Sequence, residues 1–177
     1  MRIYLGGAGF DGRTFSTVQG RSELDRLGRT LAAAGDVNGD GFDDVVIGAP
    51  QQNPESGAVY LYLGSADGVD DVVDAELTRS EAMSFGSALA GPGDLDGDGY
   101  ADVVVADGPR NEVYVYRGGP DGLEPEPAVA ITRDAPFGGS VSGLGDVDDD
   151  GYADFVVGVP GPSPLGNAGA LLVYRGG

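Results

Sequence analysis

Cysteine and histidine are absent from this 177-residue chain, and each of its ten basic residues is an arginine. Without thiol or imidazole, thiolate nucleophiles, nucleophile–histidine triads and most zinc sites are excluded. The lack of cysteine leaves the compartment open, since an exported domain can do without disulfides as easily as a cytosolic one. Long apolar runs are missing too. None approaches the roughly 18 residues that cross a membrane, so membrane insertion is not expected. The opening Met1-Arg2-Ile3-Tyr4-Leu5-Gly6-Gly7 is too short in its apolar run to act as a signal peptide. If the protein is exported, its targeting segment is expected to lie outside these residues.

What is present points to strands. Hydrophobic residues make up 41% of the chain, but 33 glycines and 11 prolines interrupt them every few positions, which suits short strands and an all-β fold. The formal net charge is −19, from 29 acidic residues against ten basic ones. Phosphate backbones and anionic membranes are repelled by such a surface, so nucleic acid is not an expected partner. The acid is mostly aspartate gathered at 36–44, 94–102 and 146–154. Clustering of this kind suggests local cation sites, because a merely solvated surface spreads its charge.

The clusters recur inside longer repeats. Leu27-Gly28 to Pro50 aligns without gaps with Phe85-Gly86 to Gly108 and with Phe137-Gly138 to Pro160. From the glycine to the first loop aspartate the step is always eight, and from that aspartate to Gly48, Ala106 or Gly158 it is always twelve. A fixed period of this kind decides the architecture. Each repeat resolves into four strand-like pieces: a small, glycine-rich first, a β-branched second, a third alternating with period two and a more polar fourth. In a radial sheet the innermost strand is crowded and the outermost faces solvent, so the pattern predicts four-stranded β-propeller blades. The expected division is 1–23 as the last two strands of a preceding blade, 24–80 and 81–133 as complete blades, and 134–177 as a blade lacking its outer strand. Three blades do not close a ring that needs about 4–8. The expectation is therefore either a stretch of a longer array or a homodimer closing a six-bladed ring, with bare apolar faces on the first and last blades otherwise.

The chemistry lies in nine-residue loops. They run Asp36-Val37-Asn38-Gly39-Asp40-Gly41-Phe42-Asp43-Asp44, Asp94-Leu95-Asp96-Gly97-Asp98-Gly99-Tyr100-Ala101-Asp102 and Asp146-Val147-Asp148-Asp149-Asp150-Gly151-Tyr152-Ala153-Asp154. Oxygen side chains fall at positions 1, 3, 5 and 9, and glycine holds position 6. Calcium takes six to eight oxygens at about 2.3–2.6 Å, which four side chains, the carbonyl at position 7 and a water can supply. Magnesium demands stricter octahedral geometry and fits less well. The expected ligands of three ions are Asp36, Asn38, Asp40 and Asp44; Asp94, Asp96, Asp98 and Asp102; and Asp146, Asp148, Asp150 and Asp154. Phe42, Tyr100 and Tyr152 would add their carbonyls. Position 12, acidic in an EF-hand, is here Ile47, Val105 or Val157, so position 9 must close the site on a hairpin. The plainer alternative is an aspartate-rich turn without an ion, and three loops at one spacing weigh against it. On charge count the first loop, with asparagine at position 3, should bind most weakly.

With these features on the page, the chain resembles the FG-GAP repeats of the integrin alpha-subunit β-propeller and its bacterial relatives. Phe85-Gly86 and Phe137-Gly138 match the first half of that name, Gly48-Ala49-Pro50 the second, and the loop lies between them. Leu27, Ala106-Asp107-Gly108 and Gly158-Val159-Pro160 depart from the pattern while leaving the ligand positions intact. The resemblance implies six or seven blades and a role in adhesion or as an exported binding module, at the cell surface or outside it. The expected function is thus a non-enzymatic, calcium-binding interaction module whose protein or carbohydrate partner the sequence does not name. The alternative is an accessory domain of a larger secreted enzyme acting on polysaccharide or phospholipid.

Two further groups are weighed and set aside. Tyr60, Tyr62, Tyr114, Tyr116 and Tyr174 suit a carbohydrate-stacking surface, but strand alternation assigns at least half of them to packing between blades. Glu55, Glu76, Glu81, Glu112, Glu124 and Glu126 include no pair marked by sequence as glycosidase carboxylates. Neither Arg-Gly-Asp nor Asn-X-Ser/Thr occurs.

Overall fold

Period-two alternation and β-branched runs pair locally when turns of glycine, proline and aspartate separate them. In the computed structural model, which describes residues 2–4, 14–19, 26–51, 56–134, 136–161 and 168–177, this produces a sequence of antiparallel meanders. Strand β1 (Arg2–Tyr4) pairs with β2 (Thr14–Thr17). Strands β3 (Thr30–Gly35), β4 (Asp44–Ala49), β5 (Ala58–Tyr62) and β6 (Ala75–Thr78) form a sheet in that order. So do β7 (Ala88–Gly93), β8 (Asp102–Asp107), β9 (Glu112–Tyr116) and β10 (Val129–Thr132). The last sheet holds β11 (Val141–Gly145), β12 (Asp154–Val159) and β13 (Ala170–Tyr174). The fold is all-β, built of propeller-type blades that do not close into a ring. One turn of 3₁₀ helix, Gly108–Arg110, stands where Ala106-Asp107-Gly108 departs from the repeat.

Successive blades stack through their first strands, β3 on β7 and β7 on β11. A methyl group at Gly91 would fall 2.2 Å from the carbonyl oxygen of Ala33, and one at Gly143 would fall 2.6 Å from Cα of Pro92. That close approach is the reason the first strand is small and glycine-rich. The core lies between the sheets. Val46, Val59 and Leu61 of one blade meet Phe85, Val103 and Tyr116 of the next. Val104 and Val115 in turn meet Phe137, Phe155 and Val157. Phe85 and Phe137 are buried beneath these contacts, so the aromatic that opens a repeat is a wedge between blades.

Several expectations need correction. Tyr60 and Tyr62 are two residues apart and share a face, as do Tyr114 and Tyr116. All four are buried, so alternation does not divide them and they form no stacking surface. The outer face of the β3–β6 sheet is covered, because Ile47, Tyr60 and Tyr62 pack with Val18 and with Val69 and Val73 of the 65–73 loop. On the far sheet Leu171 and Val173 remain 73% and 56% accessible. The fourth strand of the second blade, read from the sequence as Val129-Ala130-Ile131-Thr132-Arg133, ends at Thr132. Arg21-Ser22-Glu23, expected to align with a fourth strand, falls outside the described residues.

Candidate metal centres

Each aspartate-rich loop starts at an irregularity in its hairpin. Register shifts between Ala33 and Gly35, between Ala90 and Gly93, and between Gly143 and Gly145. Gly35, Gly93 and Gly145 take left-handed φ of 78°, 107° and 68° at these bulges. The following aspartate is thereby aimed into the loop. Position 6 also needs glycine for its backbone, since Gly41, Gly99 and Gly151 have φ of 91°, 94° and 95° while a methyl group there would meet nothing.

The position-1 carboxylate organises the turn. Asp36 Oδ1 accepts from the amides of Gly39 and Asp40 at 2.7 and 3.1 Å, and Oδ2 accepts from Gly41 at 2.8 Å. Asp94 accepts from Gly97 at 2.6 Å and Gly99 at 2.8 Å, and Asp146 from Asp150 at 3.2 Å and Gly151 at 2.9 Å. Position 5 holds the next peptide: Asp40, Asp98 and Asp150 accept from the amides of Phe42, Tyr100 and Tyr152 at 2.9, 3.0 and 3.0 Å.

Position 9 is the deepest group. Asp44, Asp102 and Asp154 are 0% exposed, and both oxygens of each accept a backbone N–H. One donor is position 2 of the same loop, Val37, Leu95 or Val147, at 2.8, 2.8 and 2.9 Å. The other is the glycine two residues past the third strand, Gly64, Gly118 or Gly176, at 2.7, 3.0 and 3.2 Å. Sequence reasoning missed these glycines, although they recur at one register in Leu63-Gly64, Arg117-Gly118 and Arg175-Gly176. It also missed Arg117 and Arg175, whose guanidinium groups pair with Asp96 and Asp148.

The carboxylates of Asp94, Asp96 and Asp102 each bring an oxygen within 4.8 Å of the others, and those of Asp146, Asp148 and Asp154 do the same. Asp98 and Asp150 stand outside that grouping among the described residues. In the first loop Asn38 takes position 3, donating to Asp40 Oδ2 at 3.0 Å. Burial first, and the charges of Asp96 and Asp98 next, push the Asp102 carboxyl up to about 6. The Asp44 carboxyl is raised by burial and by Asp40 and Asp36. Desolvation, then Asp150, raises that of Asp148, with Arg175 opposing. Converging carboxylates repel one another, and a hard cation relieves that repulsion, so the residues fit calcium. Phe42, Tyr100 and Tyr152 occupy position 7. The Tyr100 and Tyr152 rings lie over the preceding loop, where a methyl group at Gly39 or Gly97 would come within 2.8 or 2.6 Å of Cε1.

Comparison with known proteins locates the same repeats. A family described as "FG-GAP repeat" matches residues 27–62, and one described as "FG-GAP-like repeat" matches 94–157. Human integrin alpha-IIb is 36% identical over 180 residues, covering 89% of this chain and 16% of that protein. Integrin alpha-4 of Xenopus laevis is 34% identical over 146 residues, covering 75% of the chain and 14% of the relative. Mouse integrin alpha-8 is 36% identical over 161 residues, with 79% and 14% covered. The chain thus spans about a sixth of the length of the curated relatives it matches.

Proposed function

Since the chain belongs to the FG-GAP repeat proteins, we propose that it is a calcium-stabilised interaction module, without catalytic activity of its own, working at the cell surface or outside the cell. One observation carries the reading: three carboxylates converge at the same loop positions in two successive blades, each set anchored by a fully buried aspartate. Bound calcium would supply positive charge to carboxylates that otherwise repel one another. Positions 1, 3, 5 and 9 would hold it, namely Asp36, Asn38, Asp40 and Asp44 and their counterparts in the second and third loops. The chain's own residues do the rest. The position-1 aspartate folds the turn, the position-9 aspartate ties it to the third strand, and the tyrosines at position 7 join each loop to the one before.

A non-enzymatic role accords with the chemistry available, which lacks thiol and imidazole, and with relatives that are integrin alpha subunits. The partner is proposed to be a protein, met by loops whose spacing the ions hold. Equilibrium dialysis against about 1 mM calcium followed by elemental analysis tests the reading. Three ions per chain are expected, and a chain free of calcium would refute it.

A further inference from the structure

Among the described residues, two of the three loops carry a guanidinium beside their position-3 carboxylate. Arg117 Nε lies 2.7 Å from Asp96 Oδ2, and Arg175 Nη1 lies 2.9 Å from Asp148 Oδ2. Both arginines immediately precede the glycine whose amide binds the position-9 aspartate. In the first repeat that place is taken by Leu63, and there position 3 is the neutral Asn38. Charge at position 3 is thus accompanied by arginine, and its absence by leucine. Over positions 1, 3, 5 and 9 the first loop has three carboxylates, whereas the others have four and one paired guanidinium. Over these positions the formal charge is therefore the same in all three.

We propose that Arg117 and Arg175 are tethered counter-cations that hold the position-3 carboxylates in the absence of metal and lower the calcium affinity of the second and third sites. The inference rests on the calcium reading above. Asp96 Oδ2 is engaged by the guanidinium, while its Oδ1 accepts from the Asp98 amide at 3.2 Å. A dication approaching this carboxylate must share it with a fixed positive charge or displace that charge, and like charges at such range repel even in a wet environment. Among the described residues the first loop imposes no such competition, since Asn38 offers a neutral carbonyl oxygen. The four-against-three carboxylate count that ranks the first loop weakest is cancelled by the arginines. Site one accordingly fills no later than sites two and three.

The amides of Gly41, Gly99 and Gly151 each donate to the position-1 carboxylate of their own loop, so their NMR resonances report the three sites separately. Calcium is titrated into the wild type, Arg117→Leu, Arg117→Gln and Leu63→Arg. Both Arg117 variants should bind calcium at site two on the order of tenfold more tightly, with site three unchanged. Leu63→Arg should weaken site one by a similar factor. In chelator, Arg117→Leu should melt below the wild type because Asp96 loses its partner. Unchanged or weaker affinity at site two in both Arg117 variants would overturn this proposal and leave the calcium reading standing. Failure of all three glycines to respond in the wild type at about 10 mM calcium would defeat the calcium reading and this proposal with it.

Discussion

The backbone N–H of Ala101 donates to the carbonyl oxygen of Asp36 at 2.9 Å, joining position 8 of the second loop to position 1 of the first. Ala153 makes the same bond to Asp94 at 2.8 Å. Gly119 and Gly177 add bonds to the Val37 and Leu95 carbonyls at 2.9 and 2.8 Å. The three loops are therefore links of one hydrogen-bonded chain running from blade to blade. Ordering one loop lowers the cost of ordering the next. Asp94→Ala, which dismantles the second loop's turn, should weaken calcium binding at sites one and three by about twofold or more, read from the Gly41 and Gly151 resonances. Unaltered neighbouring affinities would show the loops to be independent.

Gly118 is required by close approach. A methyl group there would fall 2.4 Å from the Ala101 carbonyl oxygen and 2.7 Å from that of Val37. The adjacent Gly119 has its nearest neighbour at 3.8 Å. Gly118→Ala should cost about 1–3 kcal/mol by forcing the blades apart, while Gly119→Ala should stay within about 0.5 kcal/mol of the wild type. Urea unfolding of both variants in chelator distinguishes them, and equal stability would contradict the packing described.

Much of this was legible in the sequence, and the division has a physical basis. The loops, the glycine at position 6 and the four-strand order are local and periodic, so spacing alone carried them. The pairs Asp102 with Gly118, Asp96 with Arg117 and Asp107 with Met83 join residues 16 to 24 positions apart across variable turns, and no fixed period encodes them. Asp107 is the clearest case. It stands where Gly48-Ala49-Pro50 has alanine and reads as a lapse in the repeat. In the fold it is a buried carboxylate accepting the amides of Met83 and Ser84 at 2.8 and 3.0 Å, which anchors the crossing between two blades.

That anchor is testable. Asp107→Ala reproduces the residue of the first repeat but leaves the Met83 and Ser84 amides without their acceptor, at a cost of about 1–3 kcal/mol. The loss should be the same with and without calcium, since Asp107 belongs to no loop. A calcium-dependent loss would mean that this connection communicates with the metal sites.

The pH dependence should change sign with calcium. In the metal-free protein burial raises the Asp102 carboxyl to about 6, above the ordinary carboxylate range. The folded state therefore holds this proton more tightly than the unfolded chain. Its contribution is fully present below the unfolded value and is lost as pH rises through about 6. Between pH 4 and 7 the melting temperature of metal-free protein should fall on this account. Asp102→Asn, which does not titrate, should lack that component. With calcium bound the ionised carboxylate is favoured, so acid should destabilise instead. Calorimetry across that range checks both slopes, and a metal-free profile identical for wild type and Asp102→Asn would contradict the assignment.

Calcium should also hold the fold together. With Kd near 10⁻⁴ M and about 1 mM free ion, each site contributes roughly 1.4 kcal/mol, and three give on the order of 4 kcal/mol. That is large beside a net stability of about 5–15 kcal/mol. Asp98→Ala should lower the melting temperature markedly in calcium and less in chelator, where only its hydrogen bond to the Tyr100 amide is lost. Equal losses in the two conditions would assign the residue to the turn alone.

Isothermal titration of calcium into metal-free protein, with magnesium as the comparison, addresses the central claim most directly. Three ions per chain are expected, with dissociation constants of about 10⁻⁴–10⁻³ M and weaker binding of magnesium. Absence of calcium binding at millimolar concentration, or equal affinity for the two ions, would contradict the account.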